Sequence, residues 1–323
     1  MGKAITLQQV GDEQVLKIEN VEVGKPKQGE VLVKNIAIGI NEDDIYTNFS
    51  ATSSPIIPGY AASGEVVEVG INVNGLSSGD PVVYLSKNMG CYQELCIVNQ
   101  SDLIAIPKEM NHKTAAAAYF AGMMAHALVK RVYLVRSEII LLIHDATSGI
   151  GYILTQWANI LGATVIGSID SDDKKGFALE HGCHDVVNFN SENWDKDIMK
   201  MTKNYGVNVV YDPLGKTTFD NSIKCLTKMG IMVCYGAKSQ SIRAIDISTL
   251  SEKSLYITCP SIFDYKSNKM ELLLTADEIF SMINSGKIKV NIDSEYNFNN
   301  IAEAHQKLKN NKPMGLMVLA LYS

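Results

Sequence analysis

Short apolar runs alternate with amphipathic stretches from residue 139 onward. Strands are predicted at 139–143, 164–169, 186–189, 207–211, 231–235 and 255–258, and helices around 150–161, 172–181, 194–204 and 217–228. The regular alternation of the two predicts a parallel sheet covered by helices on both faces. The stretch before it follows another rhythm. Val31, Val33, Ile36, Ile38, Val66, Val67, Val69, Val82, Val83 and Leu103 fall in short segments broken by Gly29, Gly39, Gly59, Gly64, Gly70, Gly75, Gly79 and Pro81, as in a compact antiparallel β domain. Beyond the last parallel strand, a helix is predicted at 270–285, a strand at 288–292, a helix at 300–308 and a strand at 316–321. That tail has too little core to stand alone and is expected to pack back on the N-terminal β domain. The domains are therefore expected at 1–120 with 265–323, and at 121–264 as an insertion, with a ligand in the cleft between them.

The junction of the first parallel strand and its helix reads L-L-I-H-D-A-T-S-G-I-G at 141–151. Gly149 and Gly151 remove the Cβ atoms that would hold a pyrophosphate away, and the unpaired amides at the start of the following helix then meet its charge. Nineteen positions after Gly151 comes Asp170, at the end of the next apolar run, where a dinucleotide fold usually places the group that reads the adenosine ribose. The two glycines alone fit an ordinary tight turn equally well. Six strands with helical crossovers match the complete dinucleotide-binding fold, and they decide the matter.

Composition narrows the class further. The chain has 323 residues, 46% of them hydrophobic, and a formal net charge of −6. Lys and Arg are spread without a basic cluster, so neither nucleic acid nor an anionic membrane is expected as a partner. The six cysteines show no close repeated spacing and read as reduced thiols of a cytoplasmic protein. No apolar run is long enough to span a bilayer. Met1, Gly2 and Thr6 fit an N-acylation pattern, but Ile5 and Leu7 alternate as strand residues that a fold would bury.

Eight short segments, in register along nearly the whole chain, carry a family resemblance. They are A-I-G-I-N-E-D-D-I-Y at 37–46, P-G-Y-A-A-S-G-E-V-V at 58–67, G-D-P-V-V-Y at 79–84, Y-F-A-G-M-M-A at 119–125, the turn ending in Gly151, S-D-D-K at 171–174, V-V-Y-D-P-L-G at 209–215 and G-I-M-V-C-Y-G at 230–236. The chain resembles the zinc-free quinone oxidoreductase branch of the medium-chain dehydrogenase/reductase superfamily, the group that includes ζ-crystallin. The resemblance implies an α/β fold, with a Rossmann-type doubly wound parallel sheet inserted in a GroES-like, mainly β substrate domain. It also implies a homodimer, with the strand at 231–235 and the S-L-Y-I-T segment after it extending a sheet across a two-fold axis.

By the same resemblance, NADPH passes hydride to a quinone or an α,β-unsaturated carbonyl, and the protein orients the cofactor and handles the proton. Thr147, Ser148, Gly149, Ile150 and Gly151 would meet the pyrophosphate, Lys174 the 2′-phosphate, and Phe189 and Gly236 other parts of the cofactor. Asn41, Asp44 and Tyr46 would form the catalytic pocket, with Tyr46 or solvent as proton source. Metal-dependent relatives supply Cys, His and often Glu where this chain has Asn41, Tyr60 and Ala61, so no zinc is expected.

Several positions depart from the family pattern. Asp145 and Ser148 stand in the phosphate turn where Ala and Gly are usual, and a carboxylate facing inward there would repel a pyrophosphate. Asp170 favours a free ribose 2′-hydroxyl and keeps NADH open, whereas Lys174 favours NADPH; Asp170 is expected to face solvent as Asp172 and Asp173 do, which leaves NADPH ahead. Arginines of the bacterial enzymes correspond to Asn48, Cys259 and Asn311, and a family threonine to Met124. A pocket without those cations is less suited to a quinone's developing oxyanion, which leaves a catalytically weak NADPH-binding sensor or crystallin-like protein as the alternative. His144, Asp145 and Ser148 do not read as a hydrolytic triad, because residues so close on one turn are not expected to aim at one another. His144 reads instead as a satisfied turn residue.

Overall fold

The computed structural model describes residues 1–10, 13–46, 55–236, 238, 244–265 and 268–322, without the side chains of 9, 10, 13, 14 and 46. Its elements run β1 (Gly2–Val10), β2 (Glu13–Val21), β3 (Glu30–Ile40), α1 (Asp43–Tyr46), β4 (Ala61–Val69), β5 (Pro81–Leu85), β6 (Leu95–Asn99), β7 (Leu103–Ala105) and α2 (His112–Ala127). There follow β8 (Ile140–Ile143), α3 (Gly149–Ile160), β9 (Thr164–Ile169), α4 (Lys175–Glu180), β10 (Asp185–Asn188), α5 (Trp194–Met201), β11 (Val207–Asp212), α6 (Phe219–Cys225), β12 (Leu226–Cys234), α7 (Ser248–Ser251) and β13 (Tyr256–Thr258). The chain closes with α8 (Lys269–Asn284), β14 (Ile292–Tyr296), α9 (Ile301–Lys309) and β15 (Leu316–Ala320). It divides into two compact units, Met1–Phe120 with Ser267–Ser323, and Ala121–Lys266.

In the first unit a sheet runs in the order β14-β15-β3-β4-β5-β7, with β6 also paired to β3. β3 alternates buried and less buried residues over its first half and is buried at four successive positions at its end. There a Cβ on Gly39 would lie 2.4 Å from the Ala116 carbonyl oxygen, so only glycine lets α2 cross so closely. The apolar faces of the strands form one core with Ile301, Ala304 and Leu308 of α9. Within it the buried Asn35 amide is fully occupied, donating to the carbonyls of Cys91 and Gln93 and accepting from the Tyr84 hydroxyl. The strand expected at 288–292 lies further on, as β14. Ile288 is buried in the turn after α8, where its N–H bonds the Met282 carbonyl, and the ladder starts only where Ile292 pairs with Leu316.

The second unit holds a fully parallel sheet in the order β10-β9-β8-β11-β12-β13. This is the doubly wound order, and the direction of winding reverses between β8 and β11, so ligands are expected beyond the carboxyl ends of those strands. The helix expected at 217–228 ends at Cys225, and β12 starts immediately, because Leu226 pairs with Val207 and Lys253 Nζ closes the helix end on the Lys224 and Leu226 carbonyls. β12 is paired on both sides, by β11 and β13, so 231–235 cannot extend the sheet; among the described residues β13 is the edge on that side. Cys259, just past it, is exposed, and the other five cysteines are buried.

Candidate functional site

The turn after β8 is left-handed at Asp145, with φ +53°, and at Gly149, with φ +51°. Gly151 packs on the start of the same turn, where a Cβ would sit 2.1 Å from the Asp145 carbonyl oxygen. α3 then begins with Ser148 as its N-cap, yet the Ser148 hydroxyl does not cap the helix. It donates to Asp145 Oδ2 at 2.8 Å. The first intrahelical bond runs from Tyr152 N to Ser148 O, so the amides of Gly149, Ile150 and Gly151 precede it with the positive end of the helix behind them. Among the described residues, a Cβ on Gly149 would find open space, and Thr147 Oγ1 is buried with no hydrogen-bond partner. An orphaned hydroxyl beside an uncapped helix start fits a diphosphate.

His144 turns away from this turn. Its Nδ1 meets Ser168 Oγ at 2.6 Å, its Nε2 meets Ser222 Oγ at 2.8 Å, and its ring stands edge-on to Trp194. Ser148 and Asp145 do meet, contrary to the sequence expectation, because the left-handed Asp145 folds its side chain back over the turn. With the histidine committed elsewhere, they form no triad.

Charge around the turn is balanced internally. Burial alone would raise the Asp145 carboxyl, but Lys238, Lys174 and the Ser148 hydroxyl hold it below the ordinary carboxylate value. Lys238 Nζ contacts Asp145 Oδ2 directly. Asp170, expected in solvent, instead lies with Oδ1 2.7 Å from Lys174 Nζ, and the lysine side chain is only 6% exposed. The geometry at that oxygen is not that of a hydrogen bond, so this is a charge contact. The two residues are four apart at a strand end followed by a 3₁₀ turn, which swings the lysine back over the strand terminus. Phe189 is half-buried against the core of the unit, and Gly236 lies close to Pro213, whose carbonyl oxygen would be 2.8 Å from a Cβ. Sequence reasoning missed Lys238; its one signal is its place two residues beyond Gly236.

In the first unit, Asn41 leaves β3 and Asp44 sits in α1 with 1% exposure. Asp44 accepts from Asn41 N at 2.7 Å, from Tyr60 N at 3.1 Å and from the Tyr92 hydroxyl at 3.1 Å. It therefore ties together the two segments that carry Asn41 and Tyr60. These three partners are all protein groups. Tyr92 Oη also lies 3.3 Å from His305 Nε2; since the tyrosine donates to Asp44, the imidazole donates to the tyrosine. The Tyr46 side chain and Asn48 lie outside the described residues.

Burial pushes Asp44 up to about 7 and His305 down to about 4. The raised Asp44 favours folding fully below its ordinary 3.8, and that contribution is lost as pH rises through about 7. The depressed His305 favours folding above its ordinary 6.5, and that contribution is lost as pH falls through about 4. The two slopes oppose each other where they overlap, each approaching about 1.4 kcal/mol per pH unit. Asp44→Asn is therefore expected to leave a chain that loses stability on acidification from pH 6.5 to pH 4, more steeply than the wild type does. Urea unfolding across that range checks it; parallel curves for the two proteins would refute it.

Among the described residues no three His, Cys, Asp or Glu side chains form a metal-holding group, and no helix is long and apolar enough to cross a membrane. The profile described as "Alcohol dehydrogenase GroES-like domain" matches residues 27–108, and the one described as "Zinc-binding dehydrogenase" matches 149–275. A quinone oxidoreductase of Pseudomonas aeruginosa is 31% identical over 323 residues, covering 99% of each chain. The crystal structure of Escherichia coli quinone oxidoreductase complexed with NADPH superposes with a TM-score of 0.93 at 31% identity, covering 98% of this chain and 99% of that one. A 2-haloacrylate reductase of Burkholderia is 30% identical over 312 residues, covering 93% of each chain. Similarity at this level over the full length, on a doubly wound sheet joined to a β domain whose zinc-ligand positions hold Asn41, Tyr60 and Ala61, has one consequence: the chain belongs to the zinc-free quinone oxidoreductase branch of the medium-chain dehydrogenase/reductase superfamily.

Proposed function

We propose that the chain is an NADPH-dependent, zinc-independent oxidoreductase that reduces quinones or α,β-unsaturated carbonyls. The observation that carries this reading is the orphaned Thr147 hydroxyl beside the uncapped start of α3, in a chain similar end to end to an enzyme crystallised with NADPH. Thr147 and the amides of Gly149, Ile150 and Gly151 hold the diphosphate, while Ser148 shapes the turn through Asp145. Lys174 provides the cation for the 2′-phosphate and Asp170 an acceptor for a free 2′-hydroxyl, which keeps NADH as a second coenzyme. Phe189 and Gly236 border the rest of the dinucleotide. When bound, the nicotinamide supplies the hydride. Asn41 orients that ring, Asp44 fixes Asn41, and Tyr46 or solvent delivers the proton to the product oxygen or carbon. A side-chain amide, a phenol and a methyl at positions 41, 60 and 61 are poor zinc donors, so the chemistry is assigned to the coenzyme and these residues.

The second reading, a catalytically weak NADPH-binding sensor or crystallin-like protein, draws on Asn48, Cys259 and Asn311 in place of family arginines. A homodimer formed along the exposed β13 edge and a cytoplasmic location complete the proposal. Steady-state NADPH oxidation with 9,10-phenanthrenequinone and 1,2-naphthoquinone separates the two readings: tight NADPH binding without turnover on any quinone or enone leaves only the second. Tyr46→Phe is expected to lower kcat about 100-fold with NADPH affinity unchanged, as for loss of a general acid. An unchanged kcat assigns the proton to solvent.

A further inference from the structure

Lys238 follows Gly236 in the segment leaving the carboxyl end of β12, and it reaches the phosphate turn beyond β8 with β11 lying between the two strands. Its ammonium and the Asp145 carboxylate are both withdrawn from solvent, at 10% and 3% side-chain exposure. The carboxylate also accepts the Ser148 hydroxyl at 2.8 Å, so it is held in place from two sides. On the same turn, among the described residues, the Thr147 hydroxyl is buried without a partner and the space over Gly149 is open. A carboxylate built into this turn opposes a bound diphosphate, and the ammonium cancels that opposition. An ammonium carries three donors in a tetrahedral array, so it can bond a carboxylate and a phosphate oxygen together.

We propose that Lys238, positioned by Asp145, is a ligand of the dinucleotide's diphosphate. The inference rests on the dinucleotide-binding reading above. Its role differs from that of Lys174, because the diphosphate is common to NADPH and NADH while the 2′-phosphate is not. Asp145 touches no ligand in this scheme; it orients the lysine, and without the lysine it becomes a bare negative charge in the seat.

Calorimetric titration of the wild type, Lys238→Met and the double variant Asp145→Asn/Lys238→Met with both coenzymes tests this. Lys238→Met is expected to weaken NADPH and NADH by the same factor, about 30-fold, as for loss of a charge-assisted hydrogen bond made worse by an uncompensated carboxylate. The double variant is expected to recover to within about 5-fold of the wild type, because the repulsion is gone with the attraction. Lys238→Arg, which keeps the charge, retains most of the affinity. The inference is overturned if Lys238→Met binds both coenzymes as the wild type does, if only NADPH is weakened, or if the double variant binds no better than the single one. A wild type that binds neither coenzyme overturns the dinucleotide reading itself, a separate result. Should Lys238→Met fail to fold, the double variant and Lys238→Arg still decide: loss of affinity in both refutes the proposal.

Discussion

Gly151→Ala is expected to abolish measurable coenzyme binding and to destabilise the second unit. A Cβ there would lie 2.1 Å from the Asp145 carbonyl oxygen and 2.9 Å from its carbon, and both are backbone atoms. Asp145 already occupies the left-handed region at φ +53°, so the turn has little freedom to yield. Relief requires α3 to slide or the turn to open. Either movement takes the amides of Gly149 and Ile150 off their common focus and pulls Asp145 from Lys238. Overpacking of this kind costs about 1–3 kcal/mol in stability. Losing two charge-assisted hydrogen bonds to the diphosphate weakens binding by at least about 100-fold. Gly176 in α4 is the control: a Cβ there meets nothing within 4 Å, so Gly176→Ala should leave binding intact and stabilise the helix slightly. Urea unfolding and calorimetry on the two variants measure both effects; equal behaviour would show that the turn tolerates a side chain.

The second large effect is a change of coenzyme preference in Asp170→Ala. Lys174 lies 2.7 Å from the Asp170 carboxylate, so a 2′-phosphate must share the lysine with a like-charged neighbour. Removing the carboxylate ends that competition and the direct repulsion, and NADPH is expected to bind about 10-fold more tightly. The same change removes an acceptor for the free 2′-hydroxyl, and NADH is expected to weaken about 5-fold. The NADPH-to-NADH affinity ratio then moves about 50-fold in all. Lys174→Ala should move it the other way, and because it removes the cation that lies against Asp170 it should also lower stability. Titration of each variant with both coenzymes checks the ratio. If Asp170→Ala leaves it unchanged, neither residue of the pair reads the ribose.

Much of the coenzyme side was legible in the chain because the information there is local. An apolar strand, a turn with glycine at 149 and 151 and an amphipathic helix are consecutive, and the structure places them as β8, the turn after it and α3. The charge pattern was less legible. Asp170 and Asp172 are both acidic residues near a strand end, and only the 3₁₀ turn that swings Lys174 back distinguishes the one held by a lysine from the one bonded to Asn188. Lys238 could not be recognised, since its contact depends on the strand order β8-β11-β12, which the sequence does not state residue by residue. The Asp44–Tyr92–His305 chain draws on three distant segments and was likewise hidden, although Asp44 itself stood out beside Asn41. The missed start of β14 has a simpler origin. Ile288 is apolar and buried, as a strand residue would be, but it closes the turn that follows α8, and periodicity cannot tell those two uses apart over so few positions.

The pairing of β15 with β3 sets an order of events during synthesis. Met317 joins Ile40, so the central strand of the first sheet lacks one neighbour until the whole second unit and the tail have left the ribosome. The inserted unit, whose parallel strands and helices all lie between residues 121 and 266, can reach its native pairing while the first unit is still waiting. Translation therefore delivers a coenzyme-binding half that matures early and a β half that stays incomplete, and open to misassociation, until the last strand emerges.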